Sequence, residues 1–262
     1  MSTIGSVKGT STVHAHIELV HRWKAALESS GTMTRVLLVD FSKAFDKVDH
    51  HILLTKCASL GLPNWITKWL TSFLCQRKQR VKIGSVKAKF TTINAGMPQG
   101  KIFGPIGFVH HINDLRTNCD HVKYVHDCTI WESGAHLCVN SSLQTAADEV
   151  AQWTTTNNMA LNYDKTKQIR ICFKKETPDI PPTTINHIQI EQDHSTRLLG
   201  VTISQDLAWQ LHIGNISTKL SRLYFIILLK RAGIEPHNLV KIYTTIIRYV
   251  TEYACQVCAI PV

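Results

Sequence analysis

The sequence predicts an α+β fold, in which helices and strands follow one another without strict alternation. Several segments repeat apolar residues at three- and four-residue spacing, as amphipathic helices do. Others are short apolar or alternating runs, as strands are, and two pairs of these follow each other closely enough to be antiparallel. With 262 residues, 44% of them hydrophobic, the chain is long enough for one large domain or two small ones.

In the first third of the chain, the sequence pattern predicts one strand among helices. VLLVDF (36–41) is a nearly continuous apolar run, typical of a strand buried on both faces, and Asp40 stands near its end. Asp49 suits the N-cap of a helix. The Ser/Thr/Gly-rich residues 1–12 are expected to be mobile. Helices are predicted at residues 13–29, 49–60 and 63–75.

The middle third predicts two hairpins separated by a helix. Around Gly84-Ser85, apolar residues alternate with basic ones, and a glycine at the first turn position suits a two-residue type II′ turn. KYVHDCTI (123–130) places a second turn between two β-favouring runs. Between them, residues 94–115 predict a Gly/Pro-rich loop and then a helix. Its expected apolar stripe is Ile102, Ile106, Val109 and Ile112.

The last third predicts helices around a group of strands. An amphipathic helix is expected at 141–159. Strands are predicted at 167–173, 185–190 and 196–203, and two long helices at 209–232 and 236–253.

Lysine and arginine outnumber aspartate and glutamate by 29 to 19, which gives a formal net charge of +10. This excess favours a polyanionic partner, most simply nucleic acid bound without sequence preference. A basic surface that is merely solvated is the alternative. No apolar run approaches the roughly 18 residues of a membrane span, and the N-terminus lacks the apolar core of a secretory signal.

Eight cysteines without a secretory signal indicate free thiols in a reducing, intracellular compartment, either nucleus or cytoplasm. Two sets of residues are candidate zinc ligands: the pair Cys255 and Cys258, and the looser set His126, Cys128, His136 and Cys138. The alternative is that these thiols are structural, since Cys128 lies in a strand-like run where a thiol acts as a small hydrophobe.

Asp40 and Asp127 are carried by different predicted strands. If the two carboxylates meet at one end of a sheet, two divalent cations held there about 3.5–4 Å apart can support phosphoryl transfer. The alternative for each is a capping or turn residue. Since neighbouring strand residues point to opposite faces, His126 and Asp127 are not both expected to face Asp40.

Several co-linear motifs resemble the palm of reverse transcriptases, in particular those of non-LTR retrotransposons of the jockey/LINE type. They are VLLVDFSKAFDKVDHHILL, GLPNWITKWLTSFLCQRKQRVKIG, GMPQGKIFGPIGFVHHINDL and KYVHDCTI, followed by LNYDKTKQIRICF and RLLGVTISQDLAWQLHI. The resemblance implies a polymerase palm, an antiparallel sheet with helices packed on one face, over residues 13–205. It implies a helical, partial thumb over 206–262, without the family's fingers or an endonuclease domain.

The resemblance also implies roles for individual residues. Asp40, the backbone carbonyl of Phe41 and Asp127 are similar to metal ligands, and Lys165 is similar to a lysine beside the nucleotide's phosphates. Phe45 matches the aromatic gate that excludes a ribose 2′-hydroxyl. The remaining nucleotide- and template-binding positions implied are Pro98, Gln99, Gly100 and Tyr124. The implied cofactors and partners are two Mg²⁺ ions (or Mn²⁺), an RNA template, a DNA primer and deoxynucleotide triphosphates.

Four positions depart from the family pattern. His126 stands where the family has the first aspartate of the turn, so one negative charge and one oxygen ligand are lost. Lys101 replaces a small polar residue, and His110-His111 replace apolar and aromatic ones. Two functions are therefore open: an RNA-directed DNA polymerase domain impaired at His126, or a catalytically silent palm that binds nucleic acid non-specifically.

Overall fold

The computed structural model describes residues 2–3, 9–30, 33–98, 103–134, 141–173, 180–221 and 223–259. They form a six-stranded sheet with helices on both faces, four small two-stranded sheets and a group of short C-terminal helices. The helices are α1 (Thr12–Ser30), α2 (His50–Ser59), α3 (Asn64–Leu74), α4 (Phe103–Ile112), α5 (Ser142–Thr156), α6 (Gln210–Leu220), α7 (Leu223–Arg231), α8 (Pro236–Ile242), α9 (Arg248–Glu252) and α10 (Cys255–Cys258).

The strands are short outside the centre of the large sheet. They are β1 (Ser2–Thr3), β2 (Met33–Val39), β3 (Lys78–Gln79), β4 (Lys82–Ile83), β5 (Val86–Lys87), β6 (Thr91–Thr92), β7 (Asp120–Tyr124), β8 (Asp127–Gly134), β9 (Lys167–Ile171), β10 (Thr184–Ile185), β11 (Ile188–Gln189), β12 (Glu191–Asp193), β13 (Ser195–Leu198) and β14 (Val201–Ser204). Strand order in the large sheet is β1-β7-β8-β2-β9-β12. The central pairs are antiparallel, as predicted, while the edge strands β1 and β12 are parallel to their neighbours.

Helices cover both faces of the sheet, which extends the predicted one-sided packing. Leu37 and Val39 join one hydrophobic cluster with α2, α4 and α5. Val36, on the opposite face, joins a second cluster with Leu19 and Trp23 of α1. Successive strand residues point to opposite faces, so the continuous apolar run of β2 needs cover on both sides.

The predicted stripe of α4 is confirmed at Ile112, which is buried, and is wrong at Ile106, which is 57% exposed. Val109 is half-buried, and Ile102 lies outside the described residues. The other buried residues of the helix are Gly104, Gly107, Phe108 and His111. A Cβ on Gly107 would lie 2.4 Å from Cε of Met97, so close packing against Met97 depends on this glycine. The helix therefore packs its glycine-containing face against the core. Apolar periodicity does not predict this orientation, because glycine has no apolar side chain.

Other differences lie in the C-terminal half. The predicted strands 185–190 and 196–203 are hairpins, β10–β11 and β13–β14. The last two predicted helices are each interrupted, and Tyr243–Ile247 forms a π-helical turn between α8 and α9. Of the N-terminal residues 1–12, Ser2 and Thr3 pair with β7, and the mobility of this segment stays a prediction. In the described part of the chain, every helix is too short or too polar to cross a membrane.

Candidate metal site at the edge of the sheet

The hairpin β7–β8 and the end of β2 place three polar side chains at one edge of the sheet. Val39 lies opposite Cys128 in the β2–β8 ladder, so Asp40 and Asp127 each follow at the next position. The turn between β7 and β8 is Val125-His126, closed by the pair Tyr124 and Asp127. The predicted meeting of two strand-borne carboxylates therefore follows directly from strand register.

Asp40, His126 and Asp127 each contribute one potential ligand atom, and these atoms lie within 4.8 Å of one another. Nε2 of His126 is 3.8 Å from Oδ1 of Asp127. The expectation that neighbouring residues cannot both face Asp40 is wrong here. His126 belongs to the turn rather than to a strand, so the alternation of faces does not apply to it.

Asp40 is held by the segment that precedes β9. Its backbone N–H donates to Oγ1 of Thr166 (3.3 Å), and its carbonyl accepts from the N–H of Asn162 (2.9 Å). Phe41 bridges Leu161, and the two hydrogen bonds of that bridge flank Phe41 rather than involve it. In this antiparallel geometry the Phe41 carbonyl is directed away from residues 160–162.

The charges at the site act against one another. Burial raises the pKa of Asp127, and the neighbouring Asp40 carboxylate raises it further. His126 and Lys165 oppose this shift by lowering the same pKa. Two carboxylates sharing a partly buried site favour the presence of a cation.

A cleft of about 550 Å³ opens beside the two aspartates. Lys165, predicted beside the phosphates of a nucleotide, lines the same cleft as Asp40 and Asp127. Its far wall is the β13–β14 hairpin, which contributes Arg197 and Gly200 among other residues. Sequence reasoning did not assign this hairpin to the site. The resemblance through RLLGVTISQDLAWQLHI implied no role for its residues, and they are remote from Asp40 and Asp127 in the chain.

Phe45 lies next to His126, the turn residue that departs from the family pattern. Its ring packs on Phe108 (4.8 Å between centroids) and meets the His126 ring edge-on at 6.1 Å. Tyr124 is half-buried against the second hydrophobic cluster, one ladder position from the turn. Pro98 is half-buried, while Gln99 and Gly100 lie outside the described residues.

Lys123 is a buried residue of the hairpin that sequence reasoning missed. It is 2% exposed, and its Nζ donates to the carbonyls of Ile112, Asn113 and Leu115 at the C-terminal end of α4. Burial lowers the pKa of Lys123. The available signal was a lysine between Val122 and Tyr124 in a strand-like run, where a buried cation needs fixed acceptors.

Neither predicted zinc set gains support. Cys128 faces the core, and burial raises the pKa of its thiol to about 12, so it stays protonated. His136 and Cys138 lie outside the described residues. Cys255 and Cys258 are free thiols. Within the described ranges, Asp40, His126 and Asp127 are the single group of three or more such residues that converge.

The donor set suits divalent cations. Two carboxylates supply negative charge, and Nδ1 of His126 is buried without a hydrogen-bond partner among the described residues. The imidazole nitrogen suits ions such as Mn²⁺ better than Mg²⁺, which prefers oxygen ligands.

Comparisons with known proteins identify the family and the fold of the chain. The family model described as "Reverse transcriptase (RNA-dependent DNA polymerase)" matches residues 2–203. A probable RNA-directed DNA polymerase from transposon X-element of Drosophila melanogaster is 25% identical over 93% of this chain and 28% of its own length. The RNA-directed DNA polymerase from mobile element jockey of the same species is 28% identical over 84% of this chain and 25% of its own.

A solved structure of telomerase from Candida albicans, in complex with a fragment of telomeric RNA, shares the fold. Its TM-score is 0.52 at 11% identity, and the match covers 96% of this chain and 44% of that one. The chain spans about a quarter of the length of the curated relatives it matches. Since the family model covers most of the sequence, the chain belongs to the reverse transcriptase family, and the relatives that it matches include RNA-directed DNA polymerases of the mobile elements jockey and X-element.

Proposed function

We propose that the chain is the palm region of an RNA-directed DNA polymerase of a non-LTR retrotransposon, impaired in catalysis by His126. The observation that carries this proposal is the convergence of Asp40, His126 and Asp127 within 4.8 Å. The cleft beside them, also lined by Lys165, offers space for a nucleotide's phosphates.

Each residue of the site has a distinct task in this proposal. Asp40 and Asp127, with the carbonyl of Phe41, hold divalent cations, and His126 offers a nitrogen in place of a carboxylate. Two Mg²⁺ ions, or Mn²⁺, supply charge neutralisation of the phosphates when bound. Lys165 presents a cation to the leaving phosphates and can donate a proton to them.

The remaining predicted residues position the reactants. Phe45 lies below the sugar of a deoxynucleotide triphosphate and disfavours a 2′-hydroxyl. Tyr124 supports the turn, and the segment Pro98-Gln99-Gly100 braces the nucleotide and the RNA template against the DNA primer. Residues 13–205 form the palm in this proposal, and residues 206–262 form a partial thumb.

Impairment follows from the charge of the site. A neutral imidazole leaves two carboxylates where the family pattern has three, and a protonated imidazole repels the cation. Removing one preorganised electrostatic contact of this kind costs roughly 10²–10³ in rate. We expect no primer extension with Mg²⁺ and at most a trace with Mn²⁺.

Primer extension on an RNA template, with either cation, tests the proposal. The chain and its variants His126→Asp and Asp40→Asn are compared, and binding of Mn²⁺ is followed in parallel by its electron paramagnetic resonance signal. Mn²⁺ binding that Asp40→Asn weakens supports the site. Robust Mg²⁺-dependent synthesis by the unmodified chain would overturn the impairment, and Mn²⁺ binding indifferent to Asp40→Asn would overturn the site itself.

A catalytically silent palm that binds nucleic acid non-specifically is the second candidate, favoured by the net charge of +10. Binding should then weaken steeply between low and physiological salt, because lysines and arginines release counterions from the phosphates. A flat salt response excludes this candidate, and template-dependent extension by His126→Asp favours the first.

A further inference from the structure

A long acid-free segment lies outside the cleft. From His50 to Asn113 the chain contains no aspartate or glutamate, and Asp49 and Asp114 mark its ends. The segment carries the cations Lys56, Lys68, Arg77, Lys78, Arg80, Lys82, Lys87, Lys89 and Lys101. A segment whose charged lysine and arginine side chains are all positive is complementary to a polyanion.

An exposed aromatic column runs along α3 into this basic region. Trp65, Trp69 and Phe73 recur every four residues and so share one side of α3. The helix ends at Leu74, and Arg77 reaches back to it by donating from Nη1 to the Phe73 carbonyl (3.3 Å). Trp69 stacks on Phe73 with centroids 5.5 Å apart and planes 9° from parallel, and the Arg77 guanidinium lies 5.0 Å from the Phe73 centroid. Trp65 is 71% exposed and Trp69 55%.

The β4–β5 hairpin, which follows the column in the chain, adds closely spaced lysines. Every residue from Lys78 to Thr92 is exposed. Lys82 and Lys87 are directly opposite one another next to the turn, in the close, non-hydrogen-bonded kind of pair. Like charges in that position repel, and a bound anion removes the repulsion.

We propose that α3 and the hairpin Lys78–Thr92 form a docking platform for single-stranded nucleic acid. Bases stack on Trp65 and Trp69, and phosphates pair with the hairpin's lysines and Arg80. Stacking on aromatic side chains requires unpaired bases, which selects single strands over duplex. This inference rests on the nucleic-acid partner of the proposed function but uses none of the residues of the metal site.

Charge argues against a second copy of the chain as the occupant. A symmetric contact through this platform would bring its hairpin lysines against those of the partner, with no acidic residue of residues 50–113 to pair with them. A polyanionic strand has the opposite charge and the flat bases that two exposed indoles accept.

Helix α4 links the platform to the metal site. Phe73 of the column meets Phe103 edge-on at 5.4 Å, and Phe108 packs on Phe45, which contacts His126. Phe103 and Phe108 are five residues apart, which is roughly 7.5 Å along a helix. Aromatic contacts at both ends of this stretch of α4 therefore connect the platform with the turn that carries His126.

Tryptophan fluorescence tests the platform directly. The other tryptophans, Trp23, Trp131, Trp153 and Trp209, are between 1% and 9% exposed, so quenching by a ligand reports on Trp65 and Trp69. An unstructured 20-nucleotide oligouridylate is titrated into the full chain at low salt, with a duplex of equal length as comparison. We expect saturable quenching with the single strand and weaker quenching with the duplex.

Variants separate stacking from diffuse charge. In fluorescence anisotropy with the same labelled strand, Trp65→Ala/Trp69→Ala should weaken binding at least tenfold. Lys82→Ala/Lys87→Ala/Lys89→Ala should weaken binding and lower the slope of log affinity against log salt by about two. The matched control, Lys230→Ala/Arg231→Ala/Lys241→Ala, removes three exposed C-terminal cations and should leave affinity within about twofold.

The outcomes decide between occupants. Equal losses in the hairpin and control triple variants would overturn the platform in favour of diffuse charge. Unchanged affinity in the tryptophan variant, with self-association in sedimentation that the same variant abolishes, would instead make this face a protein interface. Quenching retained by Asp40→Asn supports a platform that is independent of the metal site, whether or not any variant extends a primer.

Discussion

Two hairpins of this molecule have the same turn length and opposite surroundings. Gly84 and Val125 each occupy the first position of a two-residue turn, at φ 59° and 56°. The β4–β5 hairpin is fully exposed and uses glycine there. The β7–β8 hairpin lies in the large sheet and uses valine, a β-branched residue for which positive φ is strained.

The difference shows how packing holds a conformation that the local sequence disfavours. Val125 packs against the first hydrophobic cluster, whereas a Cβ added to Gly84 would meet nothing within 4 Å. The strained turn brings His126 beside Asp40 and Asp127. Strain thus occurs where the surrounding structure over-determines the backbone.

The largest expected effect lies at the buried turn. His126→Asp adds a third carboxylate at the Asp40 site, and we expect affinity for Mg²⁺ to rise by roughly 10²–10³-fold. Isothermal titration of Mg²⁺ into both proteins measures this. Ser85→Asp, at the equivalent turn position of the exposed hairpin, is the control and should bind no additional ion. A gain no larger than that of Ser85→Asp would show that His126 does not occupy a ligand position.

The second-largest effect compares a buried lysine of the β7–β8 hairpin with an exposed lysine of the β4–β5 hairpin. Lys123→Met leaves three buried carbonyls without their donor and should lower the free energy of unfolding by about 3 kcal/mol. Lys82→Met, on the exposed hairpin, should change it by less than about 0.5 kcal/mol. Urea denaturation of both variants is the measurement, and similar values for the two would contradict the difference in environment.

A pH effect follows from the helix beneath the buried hairpin. Burial, with the nearby charge of Lys56, lowers the pKa of His111 from 6.5 to about 4. The unfolded chain then binds a proton that the folded chain does not, so stability is complete above pH 6.5 and is lost as pH falls towards 4. The loss should be on the order of 2 kcal/mol.

Thermal unfolding between pH 4 and 7 checks the pH effect. His111→Phe, which keeps an aromatic contact with Trp153, should flatten the profile over that range. His237→Gln, at an exposed position, should leave it unchanged. A profile that His111→Phe does not alter would assign the acid loss to other groups.

The smallest effect concerns the turns themselves. Gly84→Val should destabilise the exposed hairpin by about 1–2 kcal/mol, because no packing offsets the strain. Val125→Gly should change global stability by less than about 1 kcal/mol, since relief of strain offsets lost packing. Hydrogen exchange of the Ala88 amide, which donates to Val81, reports on the first variant, and urea denaturation on the second. Unaltered exchange at Ala88 would show that Gly84 is not required by its turn.

The sequence by itself determined the elements whose signals are local. The continuous run of β2, the capping of α2 by Asp49 and the stripe of α5 depend on residues close in the chain, and the structure contains all three. The order of motifs likewise identified the family. Asp40 and Asp127 met as predicted because strand ends of one sheet share an edge.

Tertiary structure alone decided which faces were covered and which residues far apart in sequence met. Periodicity did not reveal the glycine side of α4 packed on Met97, the wall of the cleft formed by β13–β14, or the carbonyls that hold Lys123. Nor did strand alternation place His126 beside Asp40, because a turn residue follows the geometry of its turn. These features depend on contacts between residues that are far apart in the chain, and local sequence patterns carry no information on such contacts.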